Sequence, residues 1–272
     1  MKKVALIDAD IITYLSAYHS MTKFDDGEVW VDMEAAKKDA ATTIAEWTDG
    51  AECEEALLVF SPQDRTNYRS IIWPEYKKHR KPSAKPPHLG DVAEFLLGAY
   101  ESTWTPYLEG DDVIGILHTQ DPESTVMVST DKDMKTIPGF LYNPNKNFGM
   151  GPVEISEAEA QAWLYTQVLT GDSTDGYKGV LKCGPVKAKK ILDQHSGCAL
   201  VKGVPTYYTN EHELHEATLR AYLLAGQQPE EFATNFAMAR ILQDKWFDAA
   251  EGVVTLPGVN YTDERFLSLP TN

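Results

Sequence analysis

Leu108-Glu109-Gly110-Asp111-Asp112-Val113-Ile114-Gly115 crowds three carboxylates into four residues and then runs straight into apolar sequence. An ordinary solvated loop does not do that. The pattern reads as a loop entering a buried helix with Asp111 or Asp112 near its start, where the positive end of the helix dipole favours acids. Capping needs only one acid, however, and three this close repel. At ~4 Å and an effective dielectric near 20, each like-charged pair costs roughly 4 kcal/mol. From this segment alone, an over-acidic cap and a cation site both remain open.

Other acids recur in comparable places. Asp8 and Asp10 follow Val4-Ala5-Leu6-Ile7, Asp64 follows Ala56-Leu57-Leu58-Val59-Phe60, and Asp131 and Asp133 follow Thr125-Val126-Met127-Val128-Ser129. Asp172 and Asp175 stand just after a helical pattern over about 157–170. Taken singly, Asp64 is a turn former. Together, the returns of acid to strand ends and loop edges imply a shared site. Oxygen ligands without a His or Cys cluster select Mg²⁺ or Mn²⁺. Two such ions about 4 Å apart activate water and stabilise a leaving oxygen in phosphodiester hydrolysis.

The apolar runs just named are short and continuous, as in buried parallel strands. In an extended chain, Asp8 and Asp10 at i, i+2 face the same way. Helical spacing follows at once through Ile11, Ile12, Leu15 and Tyr18, then over about 33–48 and 89–100. Residues 23–30 carry polar and turn signals. Strands alternating with helices predict an α/β fold with a doubly wound, mainly parallel sheet. Ligands in such sheets bind outside the carboxyl ends of the strands, where these acids stand.

The 272 residues, 43% hydrophobic, suffice for one large domain or a core with a small appendage. No apolar run reaches 18 residues, and the apolar stretch after Met1 ends too early for a signal peptide, so the expected location is cytoplasmic. Cys53, Cys183 and Cys198 form no Cys-x-x-Cys pair and read as structural thiols. His212-Glu213-Leu214-His215 lacks the spacing that lets two imidazoles converge on a metal and reads as helix surface. Residues 212–247 read as two or three helices.

A net charge of −16 argues against nucleic acid until its distribution is considered. Lys77, Lys78, Arg80, Lys81 and Lys85, with Lys178, Lys182, Lys187, Lys189 and Lys190, place ten of the 25 basic side chains in two acid-free windows. Two concentrated patches on an acidic body suit two grips on a polyanion. In the second window Gly184 and Pro185 open a helix with Pro at its first position. Free backbone N–H groups near Lys178, Gly179, Val180, Lys182 and Gly184 can grip a phosphate without reading a base.

These segments, together with Trp73-Pro74-Glu75-Tyr76-Lys77-Lys78-His79-Arg80 and Gly171-Asp172-Ser173-Thr174-Asp175, resemble the flap endonuclease and 5′–3′ exonuclease family. The likeness is greatest to stand-alone bacteriophage enzymes and to the 5′ nuclease domain of bacterial DNA polymerase I, and it covers roughly residues 4–195. It implies a PIN-like core over 1–155 with a helical arch or clamp at about 73–100. A helical region over 156–272 would carry a helix-three-turn-helix element for DNA.

The resemblance also implies two metal clusters, one using Asp8, Asp64, Glu109, Asp111 and Asp131, the other Asp133, Asp172 and Asp175, with Asp112 near the boundary. Asp10 either joins the ligands or hydrogen-bonds one of them. Lys77 and Arg80 match cations at the base of the arch that contact the scissile phosphate, and K⁺ is implied at the hairpin carbonyls. Lys182 stands where the family's hairpin has the first glycine of a Gly-x-Gly, and Leu15 where an arginine is frequent. The expected function is a monomeric, metal-dependent 5′ nuclease acting on DNA, including RNA–DNA hybrids. The rivals are a PIN-type ribonuclease and a non-catalytic binder of branched DNA.

Overall fold

Ala5, Leu6 and Ile7 are all buried, so the strand β1 (Val4–Asp8) must be covered on both faces. In the computed structural model, which describes residues 3–80, 85–201 and 204–256, with backbone alone at 196–201 and 204–209, β1 lies in the middle of a six-stranded sheet. In chain order it is followed by α1 (Ala9–His19), β2 (Met21–Lys23), β3 (Val29–Val31), α2 (Met33–Gly50) and β4 (Glu55–Val59). Next come α3 (Tyr68–Ile72), α4 (Leu89–Ala99), β5 (Ser102–Thr103), α5 (Gly110–Gln120), β6 (Thr125–Val128), β7 (Gly139–Tyr142) and β8 (Val153–Ile155). The strand order is β5-β4-β1-β6-β7-β8. Pairs β1–β4, β1–β6, β4–β5 and β6–β7 are parallel, with Ile7 opposite Leu58 and Val128.

Parallel pairing puts the ends of β1, β4 and β6 on one edge, which is what gathers the acids. Ala5, Ile7, Val126 and Val128 pack with Ile12, Ala36, Ala40, Ile44, Val92 and Leu96 of α1, α2 and α4. Leu6 and Met127, alternate in the strands, point the other way, and α5 packs across β1, β4 and β6. Helix α2 starts where Asp32 accepts from the amides of Glu34 and Ala35 at 3.1 and 3.0 Å. Helix α4, within the stretch at about 73–100 expected to form an arch or clamp, packs Val92 and Leu96 into this core, and 81–84 of that stretch lie outside the described residues. The polar stretch at 23–30 turns out to join an antiparallel hairpin, β2–β3.

The chain divides into two compact units. The first comprises Met1–Thr66, Pro82–Met134 and Gly139–Glu154 and holds the sheet. The second comprises Asn67–Lys81, Lys135–Pro138 and Ile155–Asn272. It contains α3, α6 (Glu157–Thr170), α7 (Pro185–Leu192), the pair β9 (Ser196–Val201) and β10 (Val204–Thr209), α8 (Glu211–Leu224), α9 (Pro229–Ala239), and a small pair β11 (Phe247–Asp248) and β12 (Val253–Val254). A Ser156–Glu159 capping box starts α6.

His215 is not helix surface. It is buried edge-on between Phe232 at 4.8 Å and Phe236 at 5.6 Å, because Leu214, His215, Thr218 and Tyr222 form the inward stripe of α8. Among the described residues no helix is long and apolar enough to cross a membrane.

Candidate metal centre

Helix α5 begins one residue after Glu109, which has extended backbone at the N-cap, so Asp111 and Asp112 fall in the first turn. One oxygen from each of Glu109, Asp111 and Asp112 lies within 4.8 Å of the others, and Asp112 is fully buried. The turn is pinned to the end of β4. The Gly110 amide donates to Ser61 Oγ at 2.9 Å, and a Cβ at Gly110 would lie 3.4 Å from the backbone of Phe60 and Ser61.

Ser61 also reaches the first acid pair. Its amide donates to Asp10 Oδ2 at 3.2 Å and its hydroxyl bonds the same carboxylate. Asp10 sits in the first turn of α1, not in extended chain beside Asp8, because the helix starts at Ala9. Burial raises its pKa, which the bonds from Ser61 and the charge of Arg65 partly offset.

Asp8 is pushed up to about 7, first by burial and then by the charge of Asp10; Ser129 counters this, and Asp131 adds to it. The Ser129 hydroxyl donates to Asp8 Oδ2 at 3.0 Å, the Asp131 amide donates to Ser129 Oγ at 3.1 Å, and the Asp133 amide donates to Asp131 Oδ1 at 2.8 Å. A fully buried serine therefore couples the ends of β1 and β6. Asp133 also meets Lys132 at 3.4 Å.

Asp64 bonds within its own turn. It is exposed, and its Oδ1 accepts from the amide and hydroxyl of Thr66 at 3.0 and 2.8 Å, bonds that lower its pKa. The structure thus brings Asp8, Asp10, Glu109, Asp111, Asp112 and Asp131 to one edge and leaves Asp64 in a local turn. The donor set at this edge is oxygen alone, and a raised carboxylate beside further acids is relieved by a cation. These residues fit a hard divalent ion.

In the second unit, the loop after α6 is closed by two glycines. Gly171 and Gly179 have φ of +76° and +64°, and Val180 N–H donates to Leu169 O at 2.9 Å. A Cβ on Gly179 would overlap the Gly171 amide and sit 2.7 Å from Leu169 O. Gly179→Ala is therefore expected to destabilise this unit by about 2–4 kcal/mol, read as a lower thermal midpoint. An unchanged midpoint would refute the closure.

Between the glycines, buried Asp172 accepts from the Thr174 amide at 2.6 Å. Asp175 meets Arg80 at 3.0 Å and Lys77 at 3.8 Å. Of the remaining first-patch lysines, Lys78 pairs with Glu75 at 2.9 Å, Lys85 is exposed, and Lys81 lies outside the described residues.

In the hairpin that follows, Val180 is buried while Lys178, Lys182, Lys187, Lys189 and Lys190 are exposed, Lys189 pairing with Asp193 at 2.7 Å. Pro185 takes the first position of α7, and no atom crowds Gly184. Lys182 has φ of +56°, the conformation glycine adopts without strain. Gln227, which no sequence signal marked, holds the turn: it accepts from the Leu181 amide at 2.8 Å and donates to Gly179 O at 3.1 Å.

No family model matches the chain. Over 211 residues it is 28% identical to the exodeoxyribonuclease of Enterobacteria phage T3, covering 69% of this chain and 68% of that protein. It is 33% identical over 138 residues to the exonuclease of Escherichia phage T7, covering 47% and 45% of the two chains. With the flap endonuclease Xni of Shewanella oneidensis it shares 29% over 140 residues, 47% of this chain and 54% of that one. The chain thus spans about half the length of the T7 and Shewanella relatives. Its fold is similar to the T5 D15 protein co-crystallised with metal ions, with a TM-score of 0.53 and 13% identity over 87% of this chain and 93% of that one.

Proposed function

We infer that this chain, a relative of phage exonucleases and of Xni flap endonucleases, is a metal-dependent 5′ nuclease that hydrolyses DNA phosphodiesters at or near 5′ ends. The observation that supports this most is the convergence of Glu109, Asp111 and Asp112 oxygens at the start of α5, on the edge that carries Asp8 and Asp131. Asp8, Glu109, Asp111, Asp112 and Asp131 would hold Mg²⁺ or Mn²⁺. A divalent ion there supplies Lewis-acid polarisation of a phosphoryl oxygen and a more acidic water.

The chain's own side chains do the rest. Ser129 orients Asp8, and Ser61 orients Asp10 while fixing the first turn of α5. Lys77 and Arg80 are the proposed phosphate contacts, and the exposed lysines from Lys178 to Lys190 with the start of α7 are the proposed grip on the DNA backbone. Asp133 and Asp172 as further ligands, K⁺ at the hairpin carbonyls, a monomeric state and action on RNA–DNA hybrids are proposed on the resemblance alone.

The test is cleavage of a 5′-labelled flap DNA, a plain duplex and an RNA strand with Mg²⁺, with Mn²⁺ and with chelator. Metal-dependent release of short 5′ products from DNA is expected. Tight flap binding without cutting would leave a binding module, and cutting confined to RNA would leave a ribonuclease.

A further inference from the structure

Asn143, the first residue after β7, is only 6% exposed, although asparagine leaving a strand usually turns to solvent. Its polar groups are all engaged. Its amide donates to Asn147 Oδ1 at 3.1 Å, and its carbonyl accepts from the amides of Lys146 and Asn147 at 2.9 and 2.8 Å. Its Oδ1 accepts from the Asn145 amide at 3.1 Å, which turns Nδ2 the other way, to donate to Thr130 O at 3.2 Å. The first four bonds fold the loop after β7. The last one leaves that loop for the end of β6.

Thr130 O belongs to the peptide unit that carries the Asp131 N–H. Such a unit is planar, so holding its oxygen also aims its N–H. That N–H donates to Ser129 Oγ at 3.1 Å, and the Ser129 hydroxyl donates to Asp8 Oδ2 at 3.0 Å. A hydroxyl has one proton, and with the Asp131 amide already pointing its own at Oγ, the serine's goes to Asp8. The donors therefore run one way, from Asn143 through the Thr130–Asp131 peptide and Ser129 to Asp8. Bonds aligned in this manner polarise and strengthen one another. We propose that Asn143 is a positioning residue for the metal centre, fixing the Thr130–Asp131 peptide and through it the carboxylates of Asp131 and Asp8. This rests on the reading that these two acids hold a divalent ion.

The test titrates Mn²⁺ into metal-free protein by electron paramagnetic resonance, without DNA, for wild type, Asn143→Ala, Asn143→Asp and Asn147→Ala, beside their melting curves. Asn143→Ala is expected to weaken Mn²⁺ binding about tenfold, as loss of a partner behind metal ligands does. Asn143→Asp keeps the size and the acceptor for the Asn145 amide but sets a carboxylate oxygen against Thr130 O. It should also bind Mn²⁺ more weakly than wild type, against the pull of its added charge. Asn147→Ala removes the acceptor of the Asn143 amide and leaves Nδ2 on Thr130 O. It should melt lower and bind Mn²⁺ as wild type does. Cleavage by Asn143→Ala should approach the wild-type rate as Mn²⁺ is raised.

A loop that serves folding alone predicts otherwise. Asn147→Ala would then weaken Mn²⁺ binding as much as Asn143→Ala, and Asn143→Asp, with one more negative charge, would bind as tightly as wild type or more so. Either result overturns the proposal. If Asn143→Ala does not fold, the isosteric Asn143→Asp carries the same comparison. Wild-type protein that binds no Mn²⁺ removes the metal reading itself, whereas wild-type binding with unchanged Asn143 variants sinks this inference alone.

Discussion

Asp111→Asn is expected to lower DNA cleavage at saturating Mg²⁺ by about a thousandfold while leaving the chain folded. The substitution keeps size and one acceptor oxygen but removes a charge from a group whose ligand atoms lie within 4.8 Å of one another. Several kcal/mol of transition-state stabilisation depend on an ion held in place, and each 1.36 kcal/mol is a factor of ten in rate. Stability should move the other way. With one member of a repelling set neutral, the metal-free thermal midpoint should equal or exceed that of wild type.

Asp64→Asn makes the contrast. Its carboxylate is exposed and bonded to Thr66, so cleavage should fall less than tenfold. Single-turnover rates for the two variants, beside their melting curves, check both statements. Asp111→Asn activity within tenfold of wild type would remove the acid cluster from the mechanism, and a thousandfold loss in Asp64→Asn would restore that residue to the site.

What could be read from sequence follows from where each signal comes from. The strands β1, β4 and β6 are apolar on both faces, so their runs stood out, and acids just past them were legible as a shared edge. Helix α2 announced itself through Ala36, Ala40, Ile44 and Trp47. The hairpin β2–β3 did not, because its residues from Thr22 to Trp30 are all exposed and no inward alternation marks them. The strand β7 is Gly-Phe-Leu-Tyr, too short to show a period.

Within the site, the carboxylates declared themselves by charge, whereas Ser61 and Ser129 carry none. A serine's role is set by which partner its hydroxyl meets, and Ser129 meets an acid 121 residues away. The pairing of Asp175 with Arg80 was hidden for the same reason: contact at a sequence separation of 95 leaves no local pattern. Lys182 is the instructive middle case. The resemblance singled out its position as a glycine, and only the backbone, at φ +56°, shows the conformational reason.

The metal-free protein should lose stability as pH rises from about 4 to about 7. Asp8 titrates near 7 in the folded chain, against an ordinary value of 3.8, because burial and the charges of Asp10 and Asp131 penalise its ionised form. Between those values the folded chain holds a proton that the unfolded chain has released. Folded protein therefore binds more protons, and its stability falls with rising pH until Asp8 is ionised in both states. The Ser129 bond is already included in that balance.

The span corresponds to about 2–4 kcal/mol, which is roughly 5–10 °C in thermal midpoint for a chain of this size. Asp8→Asn should flatten the slope and raise the metal-free midpoint at pH 8, at the cost of cleavage. A divalent ion should act in the same direction, raising the wild-type midpoint more at pH 8 than at pH 5, where the proton already occupies Asp8. Thermal melts of both proteins across this range, with Mg²⁺ and with chelator, decide it. If the wild-type curve, taken relative to Asp8→Asn, stays level or climbs with pH, the strained carboxylate at the end of β1 is not the charge that the ion relieves.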